Sequence, residues 1–312
     1  MVSGSAQAPP LPKRVINQAE TADRMCYMPA TAGTPRARAL SAALREVRTA
    51  SGVGVRELAR QVGYTHVEIS NWETGKRVPK IEAVAAILGT LRVAGEDRDR
   101  ILDLVRNVHE PNWLTVGLNG IPQQLAGVIE CERSATSIVE WIPMAVPGLL
   151  QTLEYTRAIK KASGLSENDT ELRVMLSASR GEVITRRNPV EFCAYIGEVA
   201  LSVPIGDRET MLEQLANLSD LARRPNVAVR IVPIQVGWHP GLAGPFVFYE
   251  FSDSSPVVHF EHHSSGAFIH AKHDVDEYRK AIRWLDDIAM ETGESLEFIA
   301  KASAHWEEVS DD

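Results

Sequence analysis

The sequence predicts an α+β chain in two parts, an all-α segment of short helices and then a mixed α+β body on an antiparallel sheet. Three observations carry that prediction. Between residues 38 and 108, apolar residues recur at the one-sided spacing of amphipathic helices, as in Val55, Leu58, Ala59 and Val62. Beyond residue 190 the period changes to two, in Glu191–Ile196, Val227–Val232, Phe246–Phe251 and Val257–Phe260, each bounded by Pro, Gly, Asp or Ser. With 312 residues, the chain has the length of about two domains.

Residues 1–35 are rich in Ala, Pro, Ser and Thr, lack the apolar stretch of a signal peptide, and are expected to be disordered. Translation from Met25 or Met28 would leave the folded part unchanged. Leu40, Leu44 and Val47 mark a first helix ending near Ser51-Gly52. A second runs from Val55 to Val62, and Gly63 ends it because the sharp turn that follows needs a residue tolerant of positive φ. Thr65 is a good N-cap for a third helix, and Glu68 completes a capping box three residues on. Ile69 and Trp72 point this helix inward and leave His66, Val67, Glu68, Ser70 and Asn71 for its other faces. Pro79 separates it from a fourth helix carrying Ile81, Val84, Ala85 and Leu88. Residues 93–110 form one more helix, through Ile101, Leu102, Val105 and Val108, that closes the first domain (36–92) or links it to the second (111–312).

Two short helices joined this tightly, the second presenting polar side chains from its first turn, make a helix-turn-helix of the kind that enters a DNA major groove. His66, Val67, Glu68 and Asn71 are then the candidates for base contacts. The Asn71 amide can pair with adenine, and the Glu68 carboxylate can accept from a cytosine amine. Thr65, Lys76, Arg77 and Lys80 are candidates for phosphates. Charge divides accordingly. The net charge is −8, yet residues 36–80 carry +5 and residues 81–312 carry −14. A basic segment is drawn to phosphates, and an acidic body is repelled by them.

The run LSAALREVRTASGVGVRELARQVGYTHVEISNWETGKRVPKIEAVAAIL resembles the Xre-type, lambda-repressor-like DNA-binding domain over residues 38 to about 92. Arg48, Glu57-Leu58-Ala59, Gly63, Ile69, Ser70, Glu73, Gly75 and Pro79 fall at that family's spacing. The resemblance implies a partly buried structural ion pair between Arg48 and Glu73.

In the second part, helices are expected over Pro122 to about Ile142 (with Leu125, Val128, Ile129 and Ile138), from Leu153, over 167–187, and around 207–223 and 274–291. VPGLLQTLEYTRAI, GEVAL, QLANLSDLARRPNVAVRIVPI, GWHPGLAGPFVFYEF and Glu294-Ser295 occur in the order seen in actinobacterial Scr-type antitoxin-like transcriptional regulators. That resemblance covers roughly 110–306. It implies a regulator often encoded beside a small protein partner, with no catalytic residues to carry over. Pro147, Gly148, Leu149, Leu150, Gln151 and Tyr155 form an apolar turn ahead of a helix, which plugs this domain's core or meets a partner. Trp238 and His239, in a Pro/Gly-flanked loop, line a pocket or partner surface, or simply anchor the loop.

Other chemistry is poorly supported. Cys26, Cys131 and Cys193 are odd in number and far apart, against a disulfide framework or a paired metal site. His259, Glu261 and His263 would share one strand face, with His262, His270 and His273 nearby, but no helical metal-binding spacing accompanies them. Gly241–Gly244 lacks the Lys-Ser/Thr of a phosphate loop, and no nucleophile elbow occurs. Trp284 falls with Tyr278, Ala281 and Leu285 at core-like helical spacing. No run reaches the ~18 apolar residues of a membrane span. The resulting expectation is a cytoplasmic, non-enzymatic regulator, without cofactor or metal, that binds double-stranded DNA as a homodimer and contacts a small protein partner. The alternative is a one-component regulator whose second domain senses a small molecule.

Overall fold

A computed structural model describes residues 33–108, 112–116, 121–262 and 265–308. The disorder expected of residues 1–35, the alternative starts, Cys26 and His263 lie outside the described residues, except for positions 33–35.

Five helices open the fold: α1 (Pro35–Ala50), α2 (Val55–Val62), α3 (His66–Glu73), α4 (Ile81–Thr90) and α5 (Gly95–Arg106). Their apolar stripes converge, burying Leu40, Leu44, Leu58, Ile69, Trp72, Val84, Leu88 and Ile101 in one core. Each junction follows from local chemistry. Gly63 has φ 76°, the left-handed conformation that a side chain disfavours, and ends α2. Thr65 and Glu68 form the reciprocal capping box that starts α3. α5 packs on both α1 and α4 and so closes the helical domain.

The second body is a seven-stranded sheet in the order β1-β7-β6-β5-β2-β3-β4, from β1 (Asn112–Val116), β2 (Ser137–Ile142), β3 (Glu191–Gly197), β4 (Val227–Val232), β5 (Phe246–Glu250), β6 (Val257–His262) and β7 (Ser265–Ile269). All four strands legible from the two-residue period are present. The sheet is mixed: β2–β3 and β3–β4 pair in parallel, and the remaining pairings are antiparallel. Parallel neighbours require crossovers. These are supplied by α7 (Leu153–Ala162) and α8 (Glu167–Thr185) between β2 and β3, and by α9 (Arg208–Ala222) between β3 and β4. One sequence expectation fails here. The helix begun near Pro122 is α6 (Ile121–Ser134) and stops at Ser134, so Ile138 lies on β2. Because both faces of β2 are covered, Ile138, Val139 and Trp141 read as an apolar run that does not distinguish helix from strand.

Helix α10 (Lys272–Ile288) packs through Val275 and Leu285 on one sheet face, against Trp141, Phe246, Phe248 and Val258. The other face lies in the main core with α6, α8 and α9. The edge strand β4 is covered where α10 leads into α11 (Thr292–Glu308). The Met290 N–H donates to the Ile231 carbonyl (2.8 Å), and the Ser295 hydroxyl accepts from the Ile231 N–H (3.0 Å). Covering an edge in this way removes a template for unwanted strand pairing.

The main core is not wholly apolar. One sheet row runs Ala194–Glu140–Val247–His259–Phe268, so Glu140 and His259 share the helix-covered face with Tyr249. Above it, Arg180 of α8 forks onto the buried Glu132 carboxylate of α6, with Nε 2.9 Å from Oε2 and Nη2 2.6 Å from Oε1. Burial pushes the Glu140 carboxyl up to about 7, Arg180 opposing the shift and Glu132 adding to it. Burial, aided by Arg180, pushes His259 down to about 3. A carboxyl with a raised folded pKa holds its proton where the unfolded chain has lost it, so its contribution to stability falls as pH rises through that window. Glu140→Gln removes this loss. Its stability relative to wild type is expected to grow by roughly 1.4 kcal/mol per pH unit between the ordinary carboxylate value of 4.5 and about 7, and then to level off. Thermal unfolding of both proteins across pH checks this, and parallel profiles would place Glu140 in contact with solvent.

Candidate nucleic-acid interface

Helix α3 is amphipathic across its width. Ile69, Trp72 and Glu73 are buried, while Thr65, His66, Val67 and Ser70 are exposed and Asn71 is half-buried. Tyr64 packs edge-on against Trp72 with centroids 4.9 Å apart, fixing the helix over the turn before it. Arg48 of α1 meets the far end of α3 in a bidentate ion pair. Its Nε lies 2.6 Å from Glu73 Oε1 and its Nη2 2.9 Å from Oε2, while Nη1 donates to the Val53 carbonyl at 3.0 Å. Fork-to-fork geometry of this kind is among the stronger charge-assisted contacts. The hydrogen bond from Arg48 is also what chiefly raises its pKa.

The exposed face is where the sequence reading placed DNA contacts, with one redistribution. The Glu68 carboxylate is turned back onto its own N-cap and accepts from the Thr65 N–H (2.9 Å) and hydroxyl (2.8 Å). These bonds hold its pKa below the usual carboxylate value. Glu68 and the Thr65 hydroxyl are therefore occupied as a cap, and base contact by Glu68 would require opening it. His66, Val67 and Asn71 remain free to face outward, and Val67, 53% exposed, offers apolar surface suited to a thymine methyl. Ser70, which the sequence reading left without a role, joins them as an exposed hydroxyl. Lys76, Arg77 and Lys80 are exposed just past α3 without an ion-pair partner among the described residues, and so is Arg56 near the start of α2. Nothing in its own sequence context marked Arg56 out, since its exposure depends on how α2 packs.

The second-domain candidates separate. Pro147, Leu149, Leu150 and Tyr155 are buried. The Tyr155 hydroxyl accepts from the Val146 N–H (3.2 Å), and Gln151 donates to the Val146 carbonyl (2.8 Å). Beside them, Gly148 is half-buried next to Arg180. Of the two alternatives that the sequence leaves for this turn, its burial fits the plug of its own core. His239 is also buried, edge-on to Trp141, whose Nε1 donates to the Gly241 carbonyl at 2.7 Å. Trp238 next to it is 80% exposed, together with Ile234 and Leu242 of the same loop. Trp284 is exposed as well, against its core-like spacing, because Leu285 takes the buried position. Of the histidine cluster, His259 is buried while Glu261 and His262 are exposed, and no group of three metal-capable side chains forms among the described residues. Cys131 is buried, and burial pushes its thiol up to about 12.

Three expected outcomes test this surface and its support. Arg48→Met leaves the Glu73 carboxylate buried and unpaired, which is expected to cost roughly 3 kcal/mol; equilibrium unfolding measures it, and an unchanged midpoint would refute the pair's structural role. Asn71→Ala is expected to lose roughly 1–3 kcal/mol at one base position. Removing Lys76, Arg77 or Lys80 should instead weaken all sequences alike and flatten the salt dependence. Binding to a randomised DNA library at several salt concentrations separates the two behaviours.

The helical region matches a helix-turn-helix domain model over residues 39–101, which supports a DNA-binding regulator. That match includes most of α5, in keeping with its packing. No helix among the described residues is long and apolar enough to cross a membrane. No curated protein and no solved structure matches the chain. Residues 125–301, more than half of the chain and nearly all of the mixed sheet with its helices, match a domain of unknown function, DUF5753, and the chain belongs to that family.

Proposed function

We propose that this protein is a sequence-specific transcriptional regulator of the Xre type, antitoxin-like in the manner of the Scr-type regulators its second half resembles. It reads double-stranded DNA through α3 in the cytoplasm and has no enzymatic role. The observation that carries this reading is the exposed His66, Val67 and Ser70 with half-buried Asn71 on α3, braced by the Arg48–Glu73 pair and flanked by cations without an ion-pair partner among the described residues. One such helix reads a short half-site, and a homodimer would double the contact at half-sites about 10 base pairs apart. Sequencing the DNA bound by the immunoprecipitated protein tests the central claim. Recovery of one enriched, two-fold symmetric motif supports it, and recovery of random genomic DNA refutes it.

In this reading the second domain contacts a small protein partner. The buried 146–151 turn is withdrawn from that role, and Ile234, Trp238 and Leu242 take it, because large apolar side chains exposed along one loop are suited to an interaction surface. Trp238→Ser is expected to abolish capture of the neighbouring gene's product while leaving the melting temperature and DNA affinity unchanged. Equal capture by variant and wild type would remove this loop from the interface.

A second reading has its own support. A cavity of about 360 Å³ lies between α6 and α8, within the range of small-ligand sites, and favours a domain that senses a small molecule.

A further inference from the structure

The α6–α8 cavity has an uneven charge balance. Among its lining residues the Arg180 guanidinium is matched by Glu132, which is 3% exposed. Two more guanidinium groups line the cavity without such a match. Arg133 reaches one carboxylate, Glu130, and only at 3.5 Å. Arg186 donates to backbone carbonyls alone, to Asn188 at 2.9 Å and Arg133 at 3.2 Å, and pairs with no carboxylate among the described residues. Against these two cations the lining sets one further carboxylate, Glu182. The apolar side chains of Ile129 and Val183 complete a space suited to a compact organic body.

Arg133 also belongs to a connected series of contacts that leaves the cavity. Glu130 Oε1, which holds Arg133 loosely, holds Arg45 of α1 tightly, 2.7 Å from Nη2. Through Nη1, Arg45 donates to the Glu73 carbonyl at the end of α3, at 3.1 Å. One guanidinium therefore ties the last residue of the DNA-facing helix to a carboxylate of the second domain. An anion that drew Arg133 away would leave Glu130 to Arg45 alone and shift the balance of Arg45 between its two acceptors.

We propose that the α6–α8 cavity is an effector site for a small anion, a carboxylate or phosphate held by Arg133 and Arg186, whose occupancy is relayed through Glu130 and Arg45 to α3. The site deepens the small-molecule reading. Its relay rests on α3 binding DNA, whereas anion binding itself does not.

The test uses the full-length chain at constant ionic strength in chloride, inorganic phosphate or succinate. Phosphate or succinate is expected to raise the melting temperature by several degrees over chloride, and which of them does so identifies the anion chemistry. The shift is expected to vanish in the Arg133→Gln/Arg186→Gln variant, whose altered side chains are exposed and leave the Glu132–Arg180 pair intact. No shift in wild type, or an equal shift in the double variant, overturns the site. With operator DNA recovered by selection, the stabilising anion is expected to lower affinity roughly fivefold or more in wild type and not in Glu130→Gln. An anion that stabilises through both arginines but leaves operator affinity unchanged overturns the relay alone. If the chain selects no operator, the DNA reading fails, while the melting data still decide the site.

Discussion

Helix α1 is the constraint on which the rest of the structure depends, because it must pack on two sides at once. Leu40 and Leu44 face the helical core. Arg38 and Arg45, two turns apart and so on one side of the helix, face the second domain. Arg38 donates to Ser134 at the end of α6 and to Ser254 (2.8 Å), with its guanidinium 3.9 Å from the centre of the Phe251 ring. Arg45 spans Glu130 and the Glu73 carbonyl. Flexibly tethered domains have few cross-contacts, and here the region from Thr31 onward forms one compact unit. Helix α3 is thus oriented with respect to the sheet, so a change at α6 has a mechanical route to α3.

The helical domain was legible in the sequence because its signals are local. Gly63 at positive φ, the Thr65–Glu68 box and the buried Ile69–Trp72 pair are each defined within a few residues. The second domain was legible only in part. Strands bounded by turn residues, such as Val227–Val232 between Asn226 and Pro233, were found. β2 was missed because no Pro or Gly separates it from α6, so its apolar residues read on as the same helix, and β7 because its Ser-Gly start and five-residue length resemble a turn. The parallel pairings depend on what crosses between strands, information that no short window holds. The turn at 146–151 left two alternatives open, and a short 3-10 turn with the Tyr155 hydroxyl folds it inward.

The buried polar row explains a tension within the second domain. Burying Glu132, Arg180, Glu140 and His259 costs desolvation, and a paired charge at best offsets it. Arg180 satisfies Glu132, yet the buried Nε2 atom of His259 has no hydrogen-bond partner among the described residues. A purely structural core would more simply be apolar. Glu132 and Arg180 belong to α6 and α8, the same two helices that line the cavity, so these polar groups adjoin it.

Charge shows how the two jobs are kept apart. The +5 of residues 36–80 overstates what is available to DNA. Arg36, Arg38, Arg45 and Arg48, all on α1, are engaged in contacts within the protein. Arg60 pairs with Glu57 one turn away. What remains for phosphate is Arg56 on α2 and the Lys76, Arg77 and Lys80 group after α3. The cations therefore sort by helix: those on α1 hold the domain to itself and to the acidic body, and those around α3 face solvent. A basic segment in a sequence is a total, and only the fold divides it into charges that build the protein and charges that meet a ligand. Here the division leaves the exposed, unengaged cations of the basic segment on α2 and just past α3.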